Sequence, residues 1–171
     1  MTKLKICEYP NPILKKKAQT VDVVDDDVRA FLNDMVDTMD GIGVGLAAPQ
    51  VGVSKRILVI DGDAAVEGLG YLFMVNPLIV KASEEFQLCE EACLSVPGQS
   101  SEVERYERIV VSYLDYDGNR QEIDAEGYLA VIIQHEMDHL DGILYIDRIS
   151  RLKRQMLLKK LDKFRKDAAE V

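Results

Sequence analysis

Along residues 25–40 the apolar positions Val28, Phe31, Leu32, Met35, Val36 and Met39 recur at helical spacing, with aspartates clustered at the start and Gly41 just past the end. This is the pattern of an amphipathic helix with an N-cap and a glycine stop. The period then changes. RILVID (56–61) and YLFMVNPLIV (71–80) are short β-rich runs separated by the glycine-containing loop DGDAAVEGLG (61–70). RIVVSYLDYDGNRQEID (108–124) alternates around Asp117-Gly118, a hairpin signal. AEGYLAVIIQHEMDHLDG (125–142) is apolar almost all round before its histidines, which predicts a buried helix. Leu152, Met156, Leu157, Leu161 and Phe164 form one stripe on a terminal helix whose other side is basic. Helix, several short strands, buried helix, terminal helix is the order of an α+β domain, without the alternation of a βαβ fold.

The chain has 171 residues, the size of one ordinary domain, so a single domain over 1–171 is expected, with 151–171 as part of it. No internal repeat or low-complexity linker breaks it. MTKLKICEYPNP lacks a signal-peptide core, and no run approaches the ~18 apolar residues of a membrane span. These features predict a soluble cytoplasmic protein. Cys7, Cys89 and Cys93 are an odd number without the spacing of a small secreted domain, so no structural disulfide is expected. The net charge of −9 argues against broad nucleic-acid binding, DNA included. That charge is uneven. Residues 151–166 carry eight Lys or Arg and one Asp, a net +7, which leaves −16 on the remainder.

The chemistry concentrates in QHEMDHLDG (134–142), which holds both histidines of the chain. On a helix His135 and His139 lie one turn apart on one face and can reach one metal ion, while Glu136 is offset toward a water beside it. Catalytic metal sites usually take three protein ligands. The metzincin pattern would put a third histidine at position 145, which is Tyr. The third ligand is therefore Cys, Asp or Glu. The downstream carboxylates Asp141, Asp147, Asp162, Asp167 and Glu170 follow the helix closely or lie in the charged tail, which gives weak support to a second-helix acidic ligand. Cys93 in EEACLSVPG is the thiolate candidate, yet spacing alone does not separate a ligand from a small buried hydrophobe. Two histidines plus a thiolate would suit a borderline metal such as Zn²⁺ or Fe²⁺. Gly43-Val44-Gly45-Leu46-Ala47-Ala48 matches the loose dinucleotide pattern, but follows a helix where that pattern requires a strand. Its small residues instead suit close approach of another backbone, such as a peptide. Gln50 at its end is then either a polar group at the rim of a site or an ordinary surface glutamine.

Taken in order, GVGLAAPQ (43–50), EACLS (91–95) and QHEMDH (134–139) resemble the three motifs of peptide deformylases, bacterial enzymes that remove the formyl group from the N-terminal methionine of new proteins. YPNPILKKKA, the hairpin region and the helical tail also match, so the resemblance covers nearly the whole chain. One position departs: Ala92 stands where the second motif usually has glycine. If that glycine served a positive φ, Ala would cost about 1 kcal/mol or more.

The resemblance implies antiparallel or mixed sheets around a buried metal-binding helix. It implies that Cys93, His135 and His139 bind one divalent metal, Fe²⁺ in the family's physiological form, with Zn²⁺, Ni²⁺ or Co²⁺ as substitutes. Water activated at that metal would attack the formyl carbon, with Glu136 as general acid and base. The Gln50 side chain and the Leu94 backbone N–H would stabilise the oxyanion, and the Gly45 backbone would contact substrate. Val44, Cys89, Tyr128, Val131 and Ile132 are candidates for the methionine pocket, and Arg105 for a contact to the peptide. The basic tail resembles the ribosome-docking helix of bacterial deformylases. Competing functions are a general metallopeptidase and a catalytically inert protein stabilised by its metal.

Overall fold

The computed structural model describes residues 2–170. Helix α1 spans Asp26–Met39. The Asp25 side chain accepts from the Val28 N–H at 3.0 Å, and Asp26 and Asp27 sit where the helix dipole favours negative charge. Gly41, at φ +78°, turns the chain away from it. A five-stranded antiparallel sheet follows, in spatial order β1 (Gly45–Ala47), β2 (Ile57–Asp61), β3 (Tyr71–Ala82), β6 (Arg108–Leu114) and β7 (Arg120–Glu126). Strands β4 (Phe86–Cys93) and β5 (Val96–Tyr106) form a separate antiparallel hairpin.

Helix α2, Gly127–Leu140, lies between the two sheets, and every residue from Leu129 to Leu140 is buried. This explains its all-round apolar sequence. The alternation of β2 divides the core. Leu58 and Ile60 pack with Leu129, Ile133 and Met137 of α2, while Ile57 and Val59 pack with Leu32, Met35 and Met39 of α1. A strand covered on both faces reads as an unbroken apolar run, as ILVI does. Helix α3, Arg151–Ala169, is capped by Ser150. It buries Leu157 and Leu161 against Val96, Val103 and Leu14. The predicted stripe is only partly used, since Leu152 is 67% and Met156 52% exposed.

The sequence reading missed β4 and β5, the hairpin that carries Cys93. The turn is Leu94-Ser95, and Pro97 and Gly98 lie within β5. Glutamates at 85, 90, 91, 102 and 104 hide the period-two pattern there. Ala92 has an ordinary negative φ, since Asn76 is the one non-glycine with positive φ among the described residues. Its side chain points outward on β4, opposite to buried Glu91 and Cys93, so the feared strain is absent.

Candidate active site

Two elements supply the atoms that could ligate a metal. The end of β4 presents Cys93, and one face of α2 presents His135 and His139. The three donor atoms lie within 4.8 Å of one another, with Cys93 Sγ 3.5 Å from His139 Nε2. His135 Nδ1 is 2.7 Å from Glu91 Oε1, which leaves Nε2 for a metal. Burial pushes the His139 imidazole well below its usual pKa and keeps it neutral, the form that ligates. Its Nδ1 is buried without a protein partner among the described residues. Burial also opposes charge on His135, but the neighbouring Cys93 and Glu91 outweigh it and raise its pKa well above the ordinary value. One thiolate and two imidazoles, converging and otherwise underused, fit a borderline divalent metal.

Glu136 is 4% exposed, and its Oε2 has no hydrogen-bond partner among the described residues. Burial pushes its carboxyl up to about 7, partly opposed by positive charge on His135. A Cβ on Gly45 would lie 2.7 Å from Glu136 Oε1 and 2.8 Å from its Cγ. The small residues of GVGLAAPQ therefore make room for this carboxylate, as well as for anything lying beside them.

Gln50 is 1% exposed, which excludes the surface-glutamine reading. Its Oε1 accepts from the Ala47 N–H at 2.9 Å, and its Nε2 donates to Ser95 Oγ at 3.2 Å and Cys93 Sγ at 3.4 Å. Ser95 in turn donates to the Cys7 carbonyl at 2.7 Å. The amide is thus locked with its N–H₂ toward the donor cluster.

These groups open onto a cavity of about 680 Å³. Val44, Gly45, Gln50, Leu94, Tyr128, Val131 and Ile132 all line it, as do Cys93, His135 and Glu136. Two expected substrate residues do not. Cys89 lies outside the cavity wall, its thiol beside the Glu90 carbonyl at 3.7 Å. Arg105 is 3% exposed, with Nε and Nη2 each 2.7 Å from the Glu91 carboxylate and Nη1 2.6 Å from Asp138. A guanidinium so buried, bound to two carboxylates and absent from the cavity wall, is not presented to a peptide. Sequence reasoning also missed Ile42 and Pro97–Ser100 in the wall, and the buried acids Glu91 and Asp138. Strand alternation is the signal that would have found Glu91, two residues before Cys93 and on the same face.

Comparison with known proteins agrees with the motifs. The Polypeptide deformylase family model matches residues 3–155. Peptide deformylase of Maricaulis maris is 51% identical over 162 residues, 94% of this chain and 93% of that protein. Peptide deformylase of Phenylobacterium zucineum is 49% identical over 164 residues, 95% of this chain and 97% of the relative. The crystal structure of a peptide deformylase from Legionella pneumophila superposes with a TM-score of 0.91 at 44% identity, over 99% of each chain. That of peptide deformylase from Ehrlichia chaffeensis in complex with actinonin gives 0.89 at 42% identity, over 95% of this chain and 98% of that one.

Proposed function

The chain belongs to the peptide deformylase family, metal-dependent enzymes that remove the formyl group from nascent peptides, and we propose how its own residues perform that reaction. The observation that carries the reading is the convergence of Cys93, His135 and His139 beside the buried carboxylate of Glu136 in one cavity. Those three side chains hold the metal. Their donor set suits Fe²⁺, our assignment for the cell, and accommodates Zn²⁺, Ni²⁺ or Co²⁺. When bound, such a cation supplies Lewis acidity, polarising a carbonyl oxygen and lowering the pKa of water from about 15.7 to about 7.

The protein's own groups do the rest. Glu136, with its carboxyl pushed up to about 7, is poised near neutral pH both to take a proton from water and to release it to the departing α-amine. Without that proton the amine is a poor leaving group. Gln50 Nε2 and the Leu94 N–H are the donors for oxygen as it gains charge. Gly45 meets the substrate through its backbone, and Val44, Tyr128, Val131 and Ile132 receive the methionine side chain. An inert metal-stabilised protein gains nothing from this arrangement, because a stabilising site needs neither Glu136 nor Gln50; a general metallopeptidase would use the same glutamate, and substrate choice separates it. The test compares formyl-Met, acetyl-Met and unblocked Met peptides. Turnover confined to the formylated peptide is expected, and equal turnover of all three overturns the reading.

We treat residues 1–171 as one functional unit, and we assign the ribosome to α3 as its docking partner. Arg151, Lys153, Lys159, Lys160, Lys163 and Lys166 are exposed on that helix, while the body of the chain is acidic. Deleting residues 151–171 would also uncover Leu14, Val96 and Val103. Charge reversal at Lys159, Lys163 and Lys166 is the cleaner test, with loss of ribosome co-sedimentation and intact free-peptide turnover as the expected result. No helix among the described residues is long and apolar enough to cross a membrane. We place the protein in the cytoplasm, where nascent chains emerge.

A further inference from the structure

The geometry points to Arg148 as a positioning residue for the metal centre, acting on His135 from the surface through a chain of three buried charges. This rests on the reading of Cys93, His135 and His139 as metal ligands. The chain begins at Glu91 of β4, whose Oε1 lies 2.7 Å from His135 Nδ1. Arg105 of β5 grips the same carboxylate bidentately and donates its remaining Nη1 to Asp138 Oδ2 at 2.6 Å. Asp138, on α2 beside His139, receives a second guanidinium from the turn before α3. Arg148 donates through Nε to Oδ2 at 2.5 Å and through Nη2 to Oδ1 at 2.8 Å. Glu91, Arg105 and Asp138 are buried, whereas the Arg148 side chain is 42% exposed.

Counting charges shows what Arg148 does. With it, two carboxylates meet two guanidiniums and the cluster is neutral. Without it, Arg105 alone must serve two buried carboxylates on different elements, and Asp138 draws it away from Glu91. Removing one partner of a buried ionic group is costly because the remaining charge stays uncompensated. The cheapest relaxation is a shift of Arg105 toward Asp138. Glu91 then loses a donor, and the His135 ring loses the contact that fixes which nitrogen faces the metal. Arg148 sits two residues before the Ser150 cap of α3, so the entry to the basic helix and the metal centre share one charge network.

The test uses the Co²⁺-loaded protein, measuring metal affinity by chelator competition together with the visible absorption of bound Co²⁺. Loss of a direct outer partner of a ligating histidine typically weakens metal binding about 10- to 100-fold; for Arg148→Ala, further out, about fivefold is expected, with shifted absorption bands. Arg148→Lys keeps the charge but not the fork, and falls between Arg148→Ala and the wild type. Asp138→Asn combined with Arg148→Ala restores neutrality and recovers most of the lost affinity. Lys15→Ala loosens the same turn by releasing Asp147, and leaves affinity and spectrum unchanged. Wild-type affinity and bands in Arg148→Ala overturn the proposal, as does an equal loss in Lys15→Ala or no recovery in the double variant. If Cys93→Ser holds Co²⁺ as tightly as the wild type, the ligand reading itself falls, whatever Arg148 does.

Discussion

Replacing Gly45 by alanine adds one methyl group, and the structure fixes where it goes. The new Cβ would stand 2.7, 2.8 and 2.9 Å from Glu136 Oε1, Cγ and Cδ. Contacts that short force movement. Glu136 has little room to retreat, being 4% exposed within the stretch 129–140 of α2, all of which is buried. Overpacking of this kind costs about 1–3 kcal/mol, so the protein stays folded with a lowered Tm. The displaced carboxylate is the greater loss, because a shift of about 1 Å in a catalytic group costs about 100-fold in rate. Metal content should hold, since the three atoms nearest the added methyl all belong to Glu136. The assay is formate release from a formyl-Met peptide at saturating substrate, with metal quantified on the same sample. Two neighbouring glycines are internal controls. A Cβ on Gly43 meets Leu94 Cδ1 at 3.2 Å, the end of a flexible side chain, and one on Gly41 meets nothing within 4 Å but sits at φ +78°. Gly41→Ala should therefore lower stability by about 1–2 kcal/mol and spare kcat. A kcat for Gly45→Ala within twofold of wild type would refute the idea that this strand is kept bare for Glu136.

Cys93→Ser should lose metal during purification while Cys7→Ser and Cys89→Ser retain it, and equal content in the three, measured by elemental analysis, contradicts the ligand assignment. Gln50→Ala should lower kcat by about 10²- to 10³-fold through loss of an oxyanion donor. It also strips the buried Ala47 N–H of its acceptor, so Tm should fall as well. Burial opposes ionisation of Asp147, but hydrogen bonds from Lys15 and the Leu144 N–H prevail and hold its carboxyl below the usual 3.8. The unfolded chain therefore takes up this proton first, and the stability Asp147 contributes is full above about pH 4 and lost as pH falls through its depressed value. Asp147→Asn should show a smaller drop in Tm between pH 6 and pH 3 than the wild type, and identical drops would remove Asp147 from the account of acid stability.

What the sequence disclosed and what it hid follow from how each feature is held in place. Helices α1 and α2 and strands β2, β3, β6 and β7 are specified by local periodicity, so their apolar spacing was readable. Two of the three ligand positions were readable for the same reason, since one helical turn fixes His135 relative to His139. Cys93 is joined to them only through the fold, 42 positions upstream, and spacing could not choose it; the ordered motifs of a known family could. The hairpin of β4 and β5 escaped notice because its glutamates look like a solvated loop. One of them, Glu91, is not solvated at all, and neither are Arg105 and Asp138. The resemblance offered Arg105 as a contact to the peptide, when its guanidinium is committed to two carboxylates. Charges at alternating positions next to a metal motif should instead be paired with one another first. That rule takes Glu91 with Cys93 onto one face of a strand, calls for a cation to neutralise it, and arrives at the network that orients His135.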